Sequence, residues 1–166
     1  MADTRPTVWV SQPLIDAAIA PLRDRVQLLA TDTVTAWSPQ QIAERLASVD
    51  GAIITLNERI GAAQVADAAQ LQVIANVGVG YNNLDVDALS AAGILASNTP
   101  DVLTETTADL GFALLMATAR RITESERWLR EGQWGQWSFQ TMLGADIHGS
   151  TLGILGMGRI GQGIAR

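Results

Sequence analysis

The chain has 166 residues, 48% of them apolar and 17% charged, which is enough apolar material for one ordinary domain or two small ones. It contains no cysteine, so disulfide scaffolds, thiol nucleophiles and Cys-ligated metal sites are excluded together, and no metal is expected. Its net charge is −6 and no basic cluster exceeds Arg120-Arg121, which argues against a nucleic-acid partner.

The first residues, Met1-Ala2-Asp3-Thr4-Arg5-Pro6, lack an apolar signal core, and a cytoplasmic chain is expected. Strands are predicted at 7–10, 26–29, 52–55, 73–76, 94–96 and 151–155. Amphipathic helical segments fall near 13–22, 39–48, 61–68 and 86–92, and a longer helix runs from about 101 to 131. That long segment holds the most apolar stretch, residues 110–119, which Gly111 and Thr118 interrupt and which is too short to span a bilayer. The strands are apolar runs rather than alternating patterns, as in a sheet covered by helices on both faces. Strand–helix alternation at this spacing predicts an α/β fold with a parallel, doubly wound sheet. Asn98-Thr99-Pro100-Asp101 reads as a helix start and a domain boundary. The division is therefore 1–98 and 99–166, with five strands in the first part and the opening strand of a second sheet in the other.

Gly156-Met157-Gly158-Arg159-Ile160-Gly161 follows the last predicted strand and precedes a helical pattern. G-x-G-x-x-G in that setting is a phosphate-cradling turn. The first glycine allows a tight turn, the second lets backbone approach a pyrophosphate, and the third lets the helix pack close. The acidic or basic residue that separates NAD from NADP belongs about 20 residues further on.

A second constellation, Asn76-Val77-Gly78-Val79-Gly80-Tyr81-Asn82-Asn83-Leu84-Asp85, follows the fourth strand. Ligands of open α/β sheets sit at the carboxyl ends of strands, and alternating glycines let successive amides face one anion. The N–H groups of Val77, Gly78 or Val79 would then hold a small carboxylate. An ordinary glycine-rich turn leading to a helix capped by Asp85 explains the residues equally well. Thr99 to Asp109 reads as a helix N-terminus, and a functional role requires one threonine to face a nucleotide. Trp128, Trp134 and Trp137 suit an interface better than base stacking. His148, the only histidine, precedes the last strand at its amino end and reads as structural.

In order and wording, residues 71–85, 98–109 and 152–161 resemble the D-isomer-specific 2-hydroxyacid dehydrogenases, most of all their glyoxylate/hydroxypyruvate and 2-ketogluconate reductase branch. The resemblance implies a flavodoxin-like, parallel-sheet substrate domain followed by the start of a Rossmann-type nucleotide-binding domain. It implies NADP or NAD as cofactor and a small 2-keto or 2-hydroxy acid as substrate. It places carboxylate-binding amides on Val77 and Gly78, the phosphate turn on Gly156, Gly158, Arg159, Ile160 and Gly161, and a nicotinamide-facing threonine at Thr107. A homodimer through residues 101–140 is implied as well. Substrate size would depend partly on the loop Leu56-Asn57-Glu58-Arg59. The family's Arg, Glu and His, which handle the substrate's carbonyl and proton, follow the glycine turn and fall beyond Arg166, so no catalytic side chain is assigned here. The expectation is the N-terminal part of an oxidoreductase, inactive and poorly stable or self-associating alone, because residues 152–155 would lack neighbouring strands. The alternative is a non-catalytic carboxylate-binding or dimerising module of the same fold.

Overall fold

In a computed structural model of the protein, residues 4–166 are described. They form two compact units, one ending at Pro100 and the other Asp101–Arg166.

The first unit is a five-stranded sheet in the order β2-β1-β3-β4-β5, with every pair parallel: β1 Thr7–Val10, β2 Gln27–Ala30, β3 Gly51–Thr55, β4 Val73–Val77 and β5 Leu95–Ser97. This is the flavodoxin-like doubly wound order. Each predicted strand of this unit is present, displaced by at most one residue at either end. Between them lie α1 Asp16–Ile19 with a single 3-10 turn at Ala20–Leu22, α2 Pro39–Leu46, α3 Ala62–Val65 and α4 Val86–Ala91. Helix α2 starts at Ser38, whose hydroxyl accepts the Gln41 amide while the Gln41 side chain accepts the Ser38 amide. Helix α4 starts at Asp85, whose carboxylate accepts the Ala88 amide. The core runs along the central strands: Trp9, Ile54 and Ile74 are buried with Leu46, Val49, Ile60 and Leu89. Each such aliphatic side chain contributes about 1.5–3 kcal/mol by leaving water. Trp9 meets Trp37 edge to face at 5.4 Å, and the Trp37 indole donates to the Ser11 carbonyl at 2.7 Å.

The second unit holds α5 Thr104–Ala119, α6 Ile122–Arg130 and α7 Arg159–Ala165. Two expectations are corrected here. The predicted helix 101–131 is two helices, because Arg121 takes a left-handed conformation (φ 54°) that an α-helix cannot continue through. Asp101 is also left-handed (φ 68°), which delays the helix start to Thr104. The segment 151–155 is not a strand and opens no second sheet. A strand exists only through paired neighbours, and among the described residues none pairs with it. Helix α7 packs on α5 through small residues: a methyl group at Gly163 would lie 2.9 Å from the Ala108 side chain, and one at Gly111 would lie 3.0 Å from Ile164. No described helix is long and apolar enough to cross a membrane.

Candidate functional site

The carboxyl ends of β1 and β3 converge on one buried carboxylate. Glu58, only 2% exposed, accepts four hydrogen bonds among the described residues, all from uncharged donors. Ser11 Oγ donates to Oε2 at 2.8 Å and Gln12 Nε2 to Oε1 at 2.8 Å. The Thr55 amide and hydroxyl donate to Oε2 at 2.8 and 2.9 Å. Burial pushes this carboxyl up, but the bonds from Gln12, the Thr55 backbone, Ser11 and the Thr55 hydroxyl outweigh it and hold the group below its ordinary value. Gln12 cannot turn its amide round without loss, because Nε2 also donates to the Thr35 carbonyl and Oε1 accepts the Thr35 amide.

A second buried pair adjoins this network. Asn83 Nδ2 donates to the Glu58 carbonyl at 3.0 Å and to Asn76 Oδ1 at 3.2 Å. Asn76, at the end of β4, donates onward to the Gly80 carbonyl at 2.9 Å. The turn after β4 is then fixed from its other side. The Gly78 carbonyl accepts the Thr99 amide at 2.9 Å, and the Val79 carbonyl accepts Asn98 Nδ2 at 2.8 Å. The carbonyls of Gly78, Val79 and Gly80 are thus all tied into protein. Among the described residues no acceptor holds the amides of Val79 and Gly80, while the Gly78 amide donates back to the Asn76 carbonyl at 2.9 Å. A methyl group at Gly78 would come within 2.7 Å of Leu56, so this glycine lets the 56–59 loop lie flush against the turn.

In the second unit, the segment 156–161 forms a tight turn into α7. Gly156 has φ +99°, a conformation that favours glycine. Gly158 caps α7 in an extended conformation with no side-chain cap, and the Gln162 amide bonds its carbonyl. Side chains at Gly156 or Gly158 would project into open space, whereas one at Gly161 would strike the Gly156 carbonyl at 2.1 Å. Arg159 is exposed and pairs with Asp101 at 2.7 Å. Ile160 is exposed, and so is Thr107, which stands one residue before the Ala108 that α7 packs on.

The structure therefore brings Val77, Gly78 and Val79 together in the first unit, and Gly156, Gly158, Arg159, Ile160 and Gly161 together in the second. Thr107 belongs to the second unit and His148 is an exposed residue of it. Reasoning from sequence missed Ser11, Gln12, Glu58, Asn76 and Asn83 as one network. The available signal was the acid in Leu56-Asn57-Glu58-Arg59 directly before the apolar Ile60.

A sequence model of the D-isomer specific 2-hydroxyacid dehydrogenase catalytic domain matches residues 8–152. Glyoxylate reductase of Korarchaeum cryptofilum is 41% identical over 163 residues, covering 98% of this chain and 49% of that protein. Glyoxylate reductase of Pyrococcus horikoshii is 37% identical over 166 residues, covering 98% and 50%. Among solved structures, an NAD-binding protein of the same family from Polaromonas superposes with a TM-score of 0.90 at 33% identity, covering 97% of this chain and 51% of that one. An NADPH-dependent glyoxylate/hydroxypyruvate reductase from Sinorhizobium meliloti, in complex with NADP and malonate, gives 0.74 at 30% identity, covering 98% and 49%. The chain spans about half the length of the curated relatives it matches.

Proposed function

The chain belongs to the D-isomer specific 2-hydroxyacid dehydrogenase family, a family of oxidoreductases, and from that premise we propose its part in the reaction. It carries the substrate-binding part, residues 1–98, and the first segment of the NAD(P)-binding part, residues 99–166. The enzyme these serve passes hydride between NADPH or NADH and a small 2-keto or 2-hydroxy acid, with glyoxylate or hydroxypyruvate as the preferred keto acid. The observation that carries this reading is the turn after β4, whose carbonyls are held by Thr99, Asn98 and Asn76 while its Val79 amide has no protein acceptor among the described residues. A substrate carboxylate would take the amides of Val77, Gly78 and Val79, with Gly78 exchanging its bond to the Asn76 carbonyl for one to the ligand. The S. meliloti relative holds malonate, a small carboxylate, which agrees with such a guest.

The glycine turn fits a dinucleotide. Gly156 and Gly158 leave open space where side chains would stand, and Gly161 permits the close approach of α7. Gly156, Gly158, Arg159, Ile160 and Gly161 would hold the pyrophosphate, and Thr107 would face the nicotinamide end. When bound, the nicotinamide supplies or receives the hydride at the substrate's carbonyl carbon. This chain's own residues bind and orient the carboxylate; the proton and the carbonyl polarisation come from an Arg, Glu and His outside it. A homodimer through residues 101–140 completes the reading.

The test is nicotinamide absorbance with glyoxylate or hydroxypyruvate, on the 166-residue chain and on the whole product of its open reading frame. The expected outcome is turnover by a longer product bearing a downstream Arg, Glu and His, and none by the 166 residues alone. Turnover by the shorter chain contradicts the assignment of the chemistry elsewhere. A frame that ends at Arg166 with no turnover assigns the protein to a carboxylate-binding or dimerising module instead.

A further inference from the structure

We propose that Glu58 is the positioning residue of the carboxylate-binding turn: its buried side chain locks the ends of β1 and β3, and through its own carbonyl and the Asn83–Asn76 pair it sets the backbone of 77–80. This inference rests on the reading of that turn as the substrate's carboxylate site. It concerns a residue that touches neither substrate nor nucleotide.

The first ground is energetic. An ionised carboxylate withdrawn from water costs several kcal/mol unless its lone pairs are filled, and a salt bridge is the usual remedy. Glu58 relies instead on four uncharged donors from two strand ends. An apolar side chain there would leave those four donors without their acceptor, so the ion fixes the arrangement of the strand ends around it. The second ground is location, at the carboxyl edge of a parallel sheet, where ligands bind. The third is connectivity. The path Glu58 carbonyl, Asn83 amide, Asn76 amide, Gly80 carbonyl is unbroken, its first two links are buried, and it ends in the turn. Holding the Gly80 carbonyl fixes one end of the turn, and the bonds from Thr99 and Asn98 to the Gly78 and Val79 carbonyls fix the peptide planes that carry the Val79 and Gly80 amides.

The geometry also dictates the substitution. In Glu58→Gln, an oxygen can remain where Oε2 accepts Ser11 and Thr55, but the new NH2 then faces the NH2 of Gln12. Thr35 keeps Gln12 from turning its amide round. Two donors meet, and the network must open. Ser11→Ala is milder, removing one donor of four with almost no change in shape.

The experiment is amide hydrogen exchange on the full chain as wild type, Glu58→Gln and Ser11→Ala, followed by titration of each with glyoxylate. For Glu58→Gln, the hydrogen-bonded amides of Gly78 and Leu84 should exchange on the order of tenfold faster while those of β1, β3 and β4 keep their protection, and glyoxylate should weaken by a similar factor. Ser11→Ala should move the same amides in the same direction by a smaller factor. Unchanged exchange at Gly78 and Leu84 in a folded Glu58→Gln overturns the proposal. If Glu58→Gln does not fold, Ser11→Ala decides: lower thermal stability with no change at Gly78 and Leu84 makes the network purely structural and overturns it. Failure of the wild type to bind glyoxylate sinks the substrate reading, while the exchange data still decide what Glu58 positions.

Discussion

Gly161 and Glu58 do their work at opposite ends of the chemical scale, one by having no side chain and the other by burying a charge. At Gly161 the space for a methyl group is occupied by the Gly156 carbonyl 2.1 Å away, and backbone cannot yield as a flexible side chain would. Gly161→Ala should therefore displace the start of α7 at a cost on the order of 1–3 kcal/mol, and abolish any binding of NADPH. Amide exchange in α7 and nucleotide fluorescence check both effects; an alanine variant that keeps α7 protection and nucleotide affinity contradicts the reading. The glycine turn was legible in the sequence because Gly156 needs its positive φ and Gly161 its missing side chain, so the pattern and the geometry are nearly the same statement. Glu58 was not legible. Its partners lie at positions 11, 12 and 55, with Asn83 on its carbonyl, and Arg59 beside it suggests an ordinary surface acid.

Among the elements, the five strands and four short helices of the first unit could be read from apolar runs and from the cap at Asp85, since burial on both sheet faces writes itself into sequence. The break at Arg121 could not, because Ala119-Arg120-Arg121-Ile122 contains neither glycine nor proline. Arg121 donates to the carboxylate of Glu124, three residues on, at 2.7 and 2.6 Å and to the distant Leu143 carbonyl at 3.2 Å, a partner that the local sequence does not reveal. The segment 151–155 misled for the opposite reason: its apolar pattern suits a strand, but pairing is a property of neighbours. Helix α5 and the segment after α6 leave much apolar surface uncovered, including Leu110, Phe112, Leu114, Trp134, Trp137 and Phe139. Such a surface suits a second copy of the chain. Sedimentation velocity should show a dimer for the wild type and a shift toward monomer for Trp137→Ser with Phe139→Ser. A wild type that stays monomeric at every concentration contradicts the dimer.

At the scale of the whole molecule, the chain presents two separately built devices. The first unit offers amides at the end of β4, and the second offers a glycine turn ahead of α7. In the proposed function both serve one reaction, and the proposal rests most on the first, because an unengaged backbone amide at a strand end is what a keto acid needs. The direct measurement is a nitrogen-15 amide titration of the chain with glyoxylate, with chloride at equal ionic strength as control. The account predicts saturable shifts confined to Val77, Gly78, Val79 and their immediate neighbours, and no comparable response to chloride. Shifts that avoid this turn, or that chloride reproduces, would contradict it.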